Sequence, residues 1–332
     1  MLKKIGLFCV VLGLTASSLV IAAAPVVPEV YALSAYMMDA DTGEGLYAKA
    51  ENELSYPGST TKIMTGILGL ELGKSQLDQP LKITSDIYNI EDASVLGIAP
   101  GDQITLREAM KGMMIVSGCD VAVAVAETVT PSEWNFVQYM NWKARDLGAV
   151  NTHFNNVHGL PDDQHYTTAK DMAIIAAYAM KNPTFRDMVN KPAYDVVYMD
   201  GHTQHVTSTN YFLTSGFSGA NGIKTGTTNA AGPCLIASAT RNGKTLVAAT
   251  MNSADRFRDA QTLLGYGFNL LSYRQQQAAA QKAAQPVPVQ PVPVQPTPQA
   301  QQALQQVQKQ LAKNKTTANQ TVQDNRVIPV IG

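Results

Sequence analysis

The stretch PGSTTKIMTGILGL, residues 57–70, sets a serine and a lysine three apart, Ser59 and Lys62, at the mouth of an apolar helical run. Pro57 and Gly58 break what precedes, and Ser59 suits an N-cap or first-turn position. Residues i and i+3 share a helical face, so Oγ and Nζ can meet there. A serine hydroxyl becomes a nucleophile once a base takes its proton. A lysine is such a base only when neutral, a state that burial and the positive end of a helix both favour. Taken alone, the pair reads equally well as a solvated cap beside a lysine.

Two more clusters carry chemistry. Lys224-Thr225-Gly226 lies in the β-like stretch NGIKTGTTNAAG. There Lys224 offers charge and Thr225 a hydroxyl to a carboxylate, and Gly226 lets a substrate backbone approach closely. An ordinary hairpin strand would also read this way. Ser117-Gly118-Cys119 stands between two helical patterns. A loop serine there can relay a proton, while Ser117 or Asp120 can equally cap the helix DVAVAVAE.

The elements that must position these clusters follow from periodicity. LSAYMMDADTGEGLYAKA reads as two strands around a turn at Asp41-Thr42-Gly43. Helical patterns follow at LREAMKGMMIV, DVAVAVAETV, SEWNFVQYMNWKARDLG and TAKDMAIIAAYAM. AYDVVYM and HTQHVTST are β-like, and three strand-like stretches come after them. Arg241-Asn242-Gly243-Lys244 is an Asn-Gly hairpin signal between the last two. DRFRDAQTLLGYGFNLLSY closes the ordered part as an amphipathic helix. The order predicts an α+β protein, with an antiparallel sheet built from both ends of the ordered region and a helical insertion between them.

Composition limits what the chain can do. Its 332 residues carry a formal net charge of -1, with 15% charged and 45% hydrophobic residues. Neither nucleic acid nor an anionic membrane surface is an expected partner. MLKKIGLFCVVLGLTASSLVIAAAP has two lysines, an apolar stretch and small residues, the pattern of a secretory signal peptide over residues 1–24. An exported, periplasmic or extracytoplasmic protein associated with the cell envelope is expected. After cleavage only Cys119 and Cys234 remain, too few for a disulfide scaffold, with a bridge between them left open. From Gln275 the composition turns to Gln, Ala and Pro, with PVPVQPVPVQPTPQ as a stiff repeat, so 274–332 is expected to be a disordered low-complexity tail. Within it Leu304, Val307 and Leu311 share one helical face. His202 and His205 have no third ligand and read as surface residues. His158, Asp162, Asp163 and His165 read as loop scaffolding. No H-E-x-x-H occurs and DADTGE is too short for a calcium loop, so no metal and no cofactor are expected.

In order and spacing, Ser59-x-x-Lys62, Ser117-x-Cys119 and Lys224-Thr225-Gly226 resemble the S-x-x-K, S-x-N and K-T-G motifs of serine penicillin-binding proteins and β-lactamases. The words MMDADTGEGLYAKAENELSYPGSTTKIMT, NVHGLPDDQHYTTAKDMA and NGIKTGTTNAAGPCLIASATRNGKTL are similar to the low-molecular-mass D-alanyl-D-alanine carboxypeptidases, peptidase family S11. The resemblance implies a β-lactamase/transpeptidase-like fold, an antiparallel sheet flanked by helices with a helical subdomain, over a catalytic domain at 33–273. It implies Ser59 as the acylated nucleophile, Lys62 as its base and Ser117 as a proton relay to the leaving D-alanine. Lys224, Thr225 and Gly226 would hold the substrate's terminal carboxylate. Backbone N–H groups of Ser59 and Thr227 would form the oxyanion hole, such donors being worth ~3 kcal/mol each. The implied partners are peptidoglycan stem peptides ending in D-Ala-D-Ala, and β-lactam inhibitors.

Two departures stand out. The third residue of the second motif, a substrate-binding Asn in relatives, is Cys119, whose thiol is a weak donor and a weak acceptor. Relatives continue into a β-rich domain and a membrane helix, whereas this tail offers only a peripheral attachment to wall or membrane. Beside the carboxypeptidase reading stand a D,D-transpeptidase with the same acyl-enzyme and a weakly catalytic penicillin- or peptidoglycan-binding protein. A β-lactamase is disfavoured, since no Glu-containing loop motif of the class A type lies between Ser117 and Lys224.

Overall fold

The computed structural model describes residues 23–284 and 297–324, and the chain divides into a large unit, Met1–Ala280, and a small one, Gln281–Gly332. Most of the leader predicted over 1–24 and most of the proline repeat lie outside the described residues.

The large unit opens with β1 (Ser34–Asp39) and β2 (Gly45–Lys49). The turn between them forms because Asp39 Oδ1 accepts from the backbone N–H groups of Asp41 and Thr42, and Gly43 takes a φ of 79°. The helices α1 (Lys62–Leu72), α2 (Leu106–Val116), α3 (Cys119–Val129), α4 (Glu133–Asp146), α5 (Ala169–Ala179) and α6 (Pro183–Val189) follow. Four of them start on side-chain caps: Thr105 accepts from Glu108 N, Ser132 from Asn135 N, Thr168 from Asp171 N, and Asn182 from Thr184 N and Phe185 N. The periodicity missed α6, although Asn182 caps it and Pro183 takes its first position.

A separate ribbon, β3 (Ala193–Val197) with β4 (Thr203–Thr207), precedes β5 (Ala220–Thr228), β6 (Gly232–Arg241) and β7 (Lys244–Met251). The main sheet is antiparallel in the order β2-β1-β7-β6-β5. Both ends of the ordered region therefore meet at the β1–β7 pair, as the order of elements predicts. At the β6–β7 hairpin Arg241 faces Lys244, and Asn242 and Gly243 take φ of 51° and 74°, the geometry an Asn-Gly turn supplies.

Alternation along the central strands feeds two cores. Cys234 and Ile236 of β6, with Val247 and Ala249 of β7, face a cluster shared with α1, α2, α3 and α5. Leu235, Ala237, Leu246 and Ala248 face a second cluster with Ala260, Leu263 and Leu264 of α7 (Arg256–Ala284). A sheet covered on both faces needs apolar residues at successive positions, and CLIASA and LVAAT therefore read as continuous runs.

The closing helix α7 continues past 273 to Ala284, because the Gln and Ala residues there are good helix formers. The small unit contains α8 (Pro298–Asp324), within the stretch expected to be a low-complexity tail. No proline follows Pro298 within it, and Gln, Ala and Lys favour the helix. Leu304, Val307 and Leu311 are each 58% exposed on it. Among the described residues, no helix is long and apolar enough to cross a membrane.

Asp259 ties the start of α7 to the segment entering β1. Its carboxylate, 2% exposed, accepts from Tyr31 N at 2.9 Å, Ala32 N at 2.8 Å and Ser253 Oγ at 2.6 Å. Asp259→Ala leaves these donors without a partner and should lower stability by about 2–4 kcal/mol in urea denaturation; a loss under about 0.5 kcal/mol would show that the anchor is dispensable.

Candidate active site

Ser59 is neither an N-cap nor in α1, contrary to the pattern. Gly58–Thr61 form a single 3₁₀ turn, and α1 begins only at Lys62, with no side-chain cap on either segment. In a 3₁₀ turn positions i and i+3 eclipse, so Ser59 sits directly over Lys62. The hydroxyl is thereby free of capping, and Ser59 Oγ lies 3.1 Å from Lys62 Nζ. Ser59 is half-buried, while Thr60, Thr61 and Lys62 are fully buried.

Lys62 Nζ has two further partners, the carbonyl oxygen of His158 at 2.8 Å and Cys119 Sγ at 3.1 Å. No carboxylate lies within ion-pair distance of it among the described residues. Burial lowers its proton affinity below that of an ordinary lysine, while Cys119 and, more weakly, Asp120 pull the other way. The sequence argument required a neutral lysine, and burial supplies the force toward one.

Cys119 is 2% exposed at the first position of α3. The thiol faces Lys62 and accepts from its amine. Both Cys119 and Cys234 are free, which closes the question of a bridge between them. Ser117 caps no helix N-terminus. It is the C-cap of α2, at a left-handed φ of 69°, which costs a residue with a Cβ about 1–2 kcal/mol. Its Oγ has no hydrogen-bond partner among the described residues, and its carbonyl lies 3.9 Å from Cys119 Sγ. Asp120, the other candidate cap, does something else. Its buried carboxylate accepts from the backbone N–H groups of Leu96, Gly97, Ile98 and Val121, and so pins the 96–98 segment to α3.

The third cluster runs along β5, at the edge of the main sheet. Lys224 is 1% exposed and donates to Thr225 O at 2.9 Å. Burial first, and then the nearby Lys62, depress its proton affinity well below the usual lysine range. A carboxylate arriving there would draw the proton back. Thr225 Oγ1 lies 2.7 Å from Thr209 Oγ1. Gly226 also serves the packing of the protein itself, because its missing Cβ leaves room for the 3₁₀ turn. A methyl at Gly226 would stand 2.8 Å from Pro57 O, 3.0 Å from Thr60 N and 3.1 Å from Ser59 N. Across the same seam, a methyl at Gly58 would stand 3.3 Å from Thr227 N. The backbone amides of Ser59 and Thr227 thus border one junction between the 3₁₀ turn and β5.

Sequence reasoning missed Arg256. Its guanidinium donates to Gly226 O at 3.0 Å, Thr227 Oγ1 at 2.7 Å and Cys234 O at 3.2 Å, holding the end of β5. No local signal in DRFRDAQ reveals this, since the partners lie in strands earlier in the chain. It also missed that the His158 carbonyl reaches Lys62. The scaffolding reading holds for His165, whose Nδ1 accepts from Asn155 N at 3.0 Å, so that Nε2 carries the proton facing Thr61 Oγ1 at 2.9 Å. Burial holds His158 down to about 3 and His165 to about 4. His202 and His205 are exposed beside Asp200 and Asp195, and no group of three or more His, Cys, Asp or Glu side chains that could hold a metal occurs among the described residues.

Residues 21–255 match the family model described as D-alanyl-D-alanine carboxypeptidase. A D-alanyl-D-alanine carboxypeptidase of Streptomyces sp. strain K15 is 36% identical over 259 residues, covering 73% of this chain and 89% of that one. The Bacillus subtilis enzyme DacF is 35% identical over 263 residues, covering 75% of this chain and 66% of its own. The crystal structure of the Streptomyces K15 DD-transpeptidase is similar with a TM-score of 0.67 at 36% identity, over 73% of this chain and 98% of that one. The chain therefore belongs to the D-alanyl-D-alanine carboxypeptidase family, with the penicillin-binding fold that the motifs imply.

Gly226→Ala tests the junction between β5 and the 3₁₀ turn. A crystal structure of the variant should show the turn displaced and the 3.1 Å contact between Ser59 and Lys62 lengthened, with stability reduced by about 1–3 kcal/mol from overpacking. An unmoved turn would show that the seam has slack.

Proposed function

We propose that this protein is a serine-type D-alanyl-D-alanine carboxypeptidase acting on peptidoglycan stem peptides outside the cytoplasm. The observation that carries the reading is the contact of a half-buried serine with a fully buried lysine that has no carboxylate partner among the described residues. Ser59 Oγ attacks the carbonyl carbon of the penultimate D-alanine while Lys62 Nζ takes the hydroxyl proton. The developing oxyanion is received by the N–H groups of Ser59 and Thr227. The C–N bond to the terminal D-alanine breaks, and its amine takes a proton through Ser117. Lys224 and Thr225 hold the terminal carboxylate until it leaves. Water then cleaves the ester on Ser59, releasing the shortened stem and restoring the hydroxyl. Arg256 acts through the backbone of Gly226 and Thr227, as a positioning residue.

The leader-like N-terminus supports an exported protein, and family membership supports β-lactams as inhibitors. A second reading, transfer of the acyl group to an amine, is favoured by the solved Streptomyces relative, whose structure is titled a DD-transpeptidase. The two differ only in what meets the acyl-enzyme.

Wild type and Ser59→Ala, incubated with a fluorescent penicillin and then with a D-Ala-D-Ala-ended peptide, test the reading. Covalent label and D-alanine release should both be present in the wild type and absent in the variant. Label with D-alanine released only when an amine acceptor is added would point to the transpeptidase. Label that persists in Ser59→Ala would place the nucleophile elsewhere.

The Lys62 base also sets a pH dependence. Acylation should rise with pH as Lys62 loses its proton, and the midpoint should lie below 10.5, the ordinary lysine value. The Cys119 thiol opposes that lowering by accepting from the ammonium. In Cys119→Ala the rising limb should therefore move to lower pH, read from penicillin acylation rates; a shift to higher pH would mean that the thiol favours the neutral amine.

A further inference from the structure

One face of α4 exposes three large aromatic side chains: Trp134 at 67%, Tyr139 at 46% and Trp142 at 58%. Exposed tryptophans grouped on one helix are informative where scattered apolar residues are not. With Asn135 and Gln138 these side chains line a shallow concavity of ≈ 440 Å³. All five lie on one arc of the helix, opposite the buried Phe136, Val137, Met140 and Ala144.

We propose that this face is a subsite for the glycan strand that carries the stem peptides, a proposal that rests on the carboxypeptidase reading. The first argument is the chemistry of the lining. Indole and phenol rings offer flat apolar faces for the C–H faces of sugar rings, and the carboxamides of Asn135 and Gln138 donate to and accept from hydroxyl and acetamido groups. The lining has no aliphatic side chain, and the only basic groups near it among the described residues are Lys143, whose Nζ lies 5.5 Å from the Trp142 ring centroid, and the exposed Arg145 one turn further on. A helix that lies in a bilayer surface needs both, a wide aliphatic face and a basic rim. The second argument is spacing: Trp134 and Trp142 are eight positions apart, ~12 Å along the axis, which suits stacking on separate sugars of one extended strand.

The third argument is continuity with the candidate active site. Trp134 also walls the neighbouring hollow that holds Glu133, Ser132, Asn89 and His158. The carbonyl of that same His158 accepts from Lys62 Nζ at 2.8 Å. A strand lying on α4 would therefore border the hollow walled by His158, whose carbonyl touches Lys62.

The test uses the full chain and peptide-free glycan strands prepared from peptidoglycan, with binding followed by titration calorimetry. D-alanine release is measured in parallel on a short soluble D-Ala-D-Ala peptide and on intact strands. Trp142→Ala should weaken glycan binding at least tenfold and slow release from intact strands, leaving kcat/KM on the short peptide within twofold. Trp142→Phe should restore most of the binding, which a purely structural role would not predict. Equal glycan binding by wild type and Trp142→Ala, or none by the wild type, would overturn the proposal. So would Trp142-dependent binding to phosphatidylglycerol vesicles without glycan binding, which would assign the face to a membrane. If the short peptide is not cleaved at all, the carboxypeptidase reading fails, while the calorimetry still decides the glycan subsite.

Discussion

The burial of the Lys62 amine is the constraint on which the rest of the site depends. A lysine side chain with no exposed surface and no carboxylate beside it is pushed toward its neutral form, because removing an unpaired ammonium from water is costly. Its hydrogen-bond partners come from three separate parts of the chain: the 3₁₀ turn, the start of α3 and the His158 loop. Each supplies a neutral partner, and the charge of Asp120 at the start of α3 offsets the burial only in part. The same burial acts on Lys224, where it leaves a site that gains charge when an anion arrives.

Close approach of backbones is the second constraint. Gly226 lies so near the 3₁₀ turn that any side chain would displace Ser59, and Gly159, at φ 89°, lies against Gly58 O and Thr61 on the opposite flank. The turn is clasped between the edge of the sheet and the loop that carries His158. Arg256 fixes the sheet side of this clasp through the carbonyls of Gly226 and Cys234. The proposed mechanism thus uses backbone groups at least as much as side chains. The penicillin-binding fold supplies them by packing the end of β5 against the segment that leads into α1.

Much of this was legible in advance, for identifiable reasons. The β1–β2 turn and the β6–β7 hairpin are local, written in Asp39, Gly43, Asn242 and Gly243. The long helices announce themselves by apolar spacing, and α2, α4 and α5 by their caps. The short α6 fell below what periodicity detects. The N-cap that Ser117 offered as an alternative to a proton relay is not formed, because this serine is a left-handed C-cap, a position that usually prefers glycine.

The sequence by itself determined which groups are available. Three short motifs, in order, named Ser59, Lys62, Ser117, Cys119 and the Lys224–Gly226 run, since motif spacing is a property of the chain alone. It also determined that both ends of the ordered region build one sheet, since the pattern of strands and helices admits little else. Only the tertiary structure decided what state those groups are in. That Lys62 is dry, that Cys119 faces it and not the solvent, that Gly226 makes room for the 3₁₀ turn, and that Arg256 holds β5 all depend on residues far apart in sequence. Burial and proton affinity are properties of a packed environment, and no local run of residues encodes them.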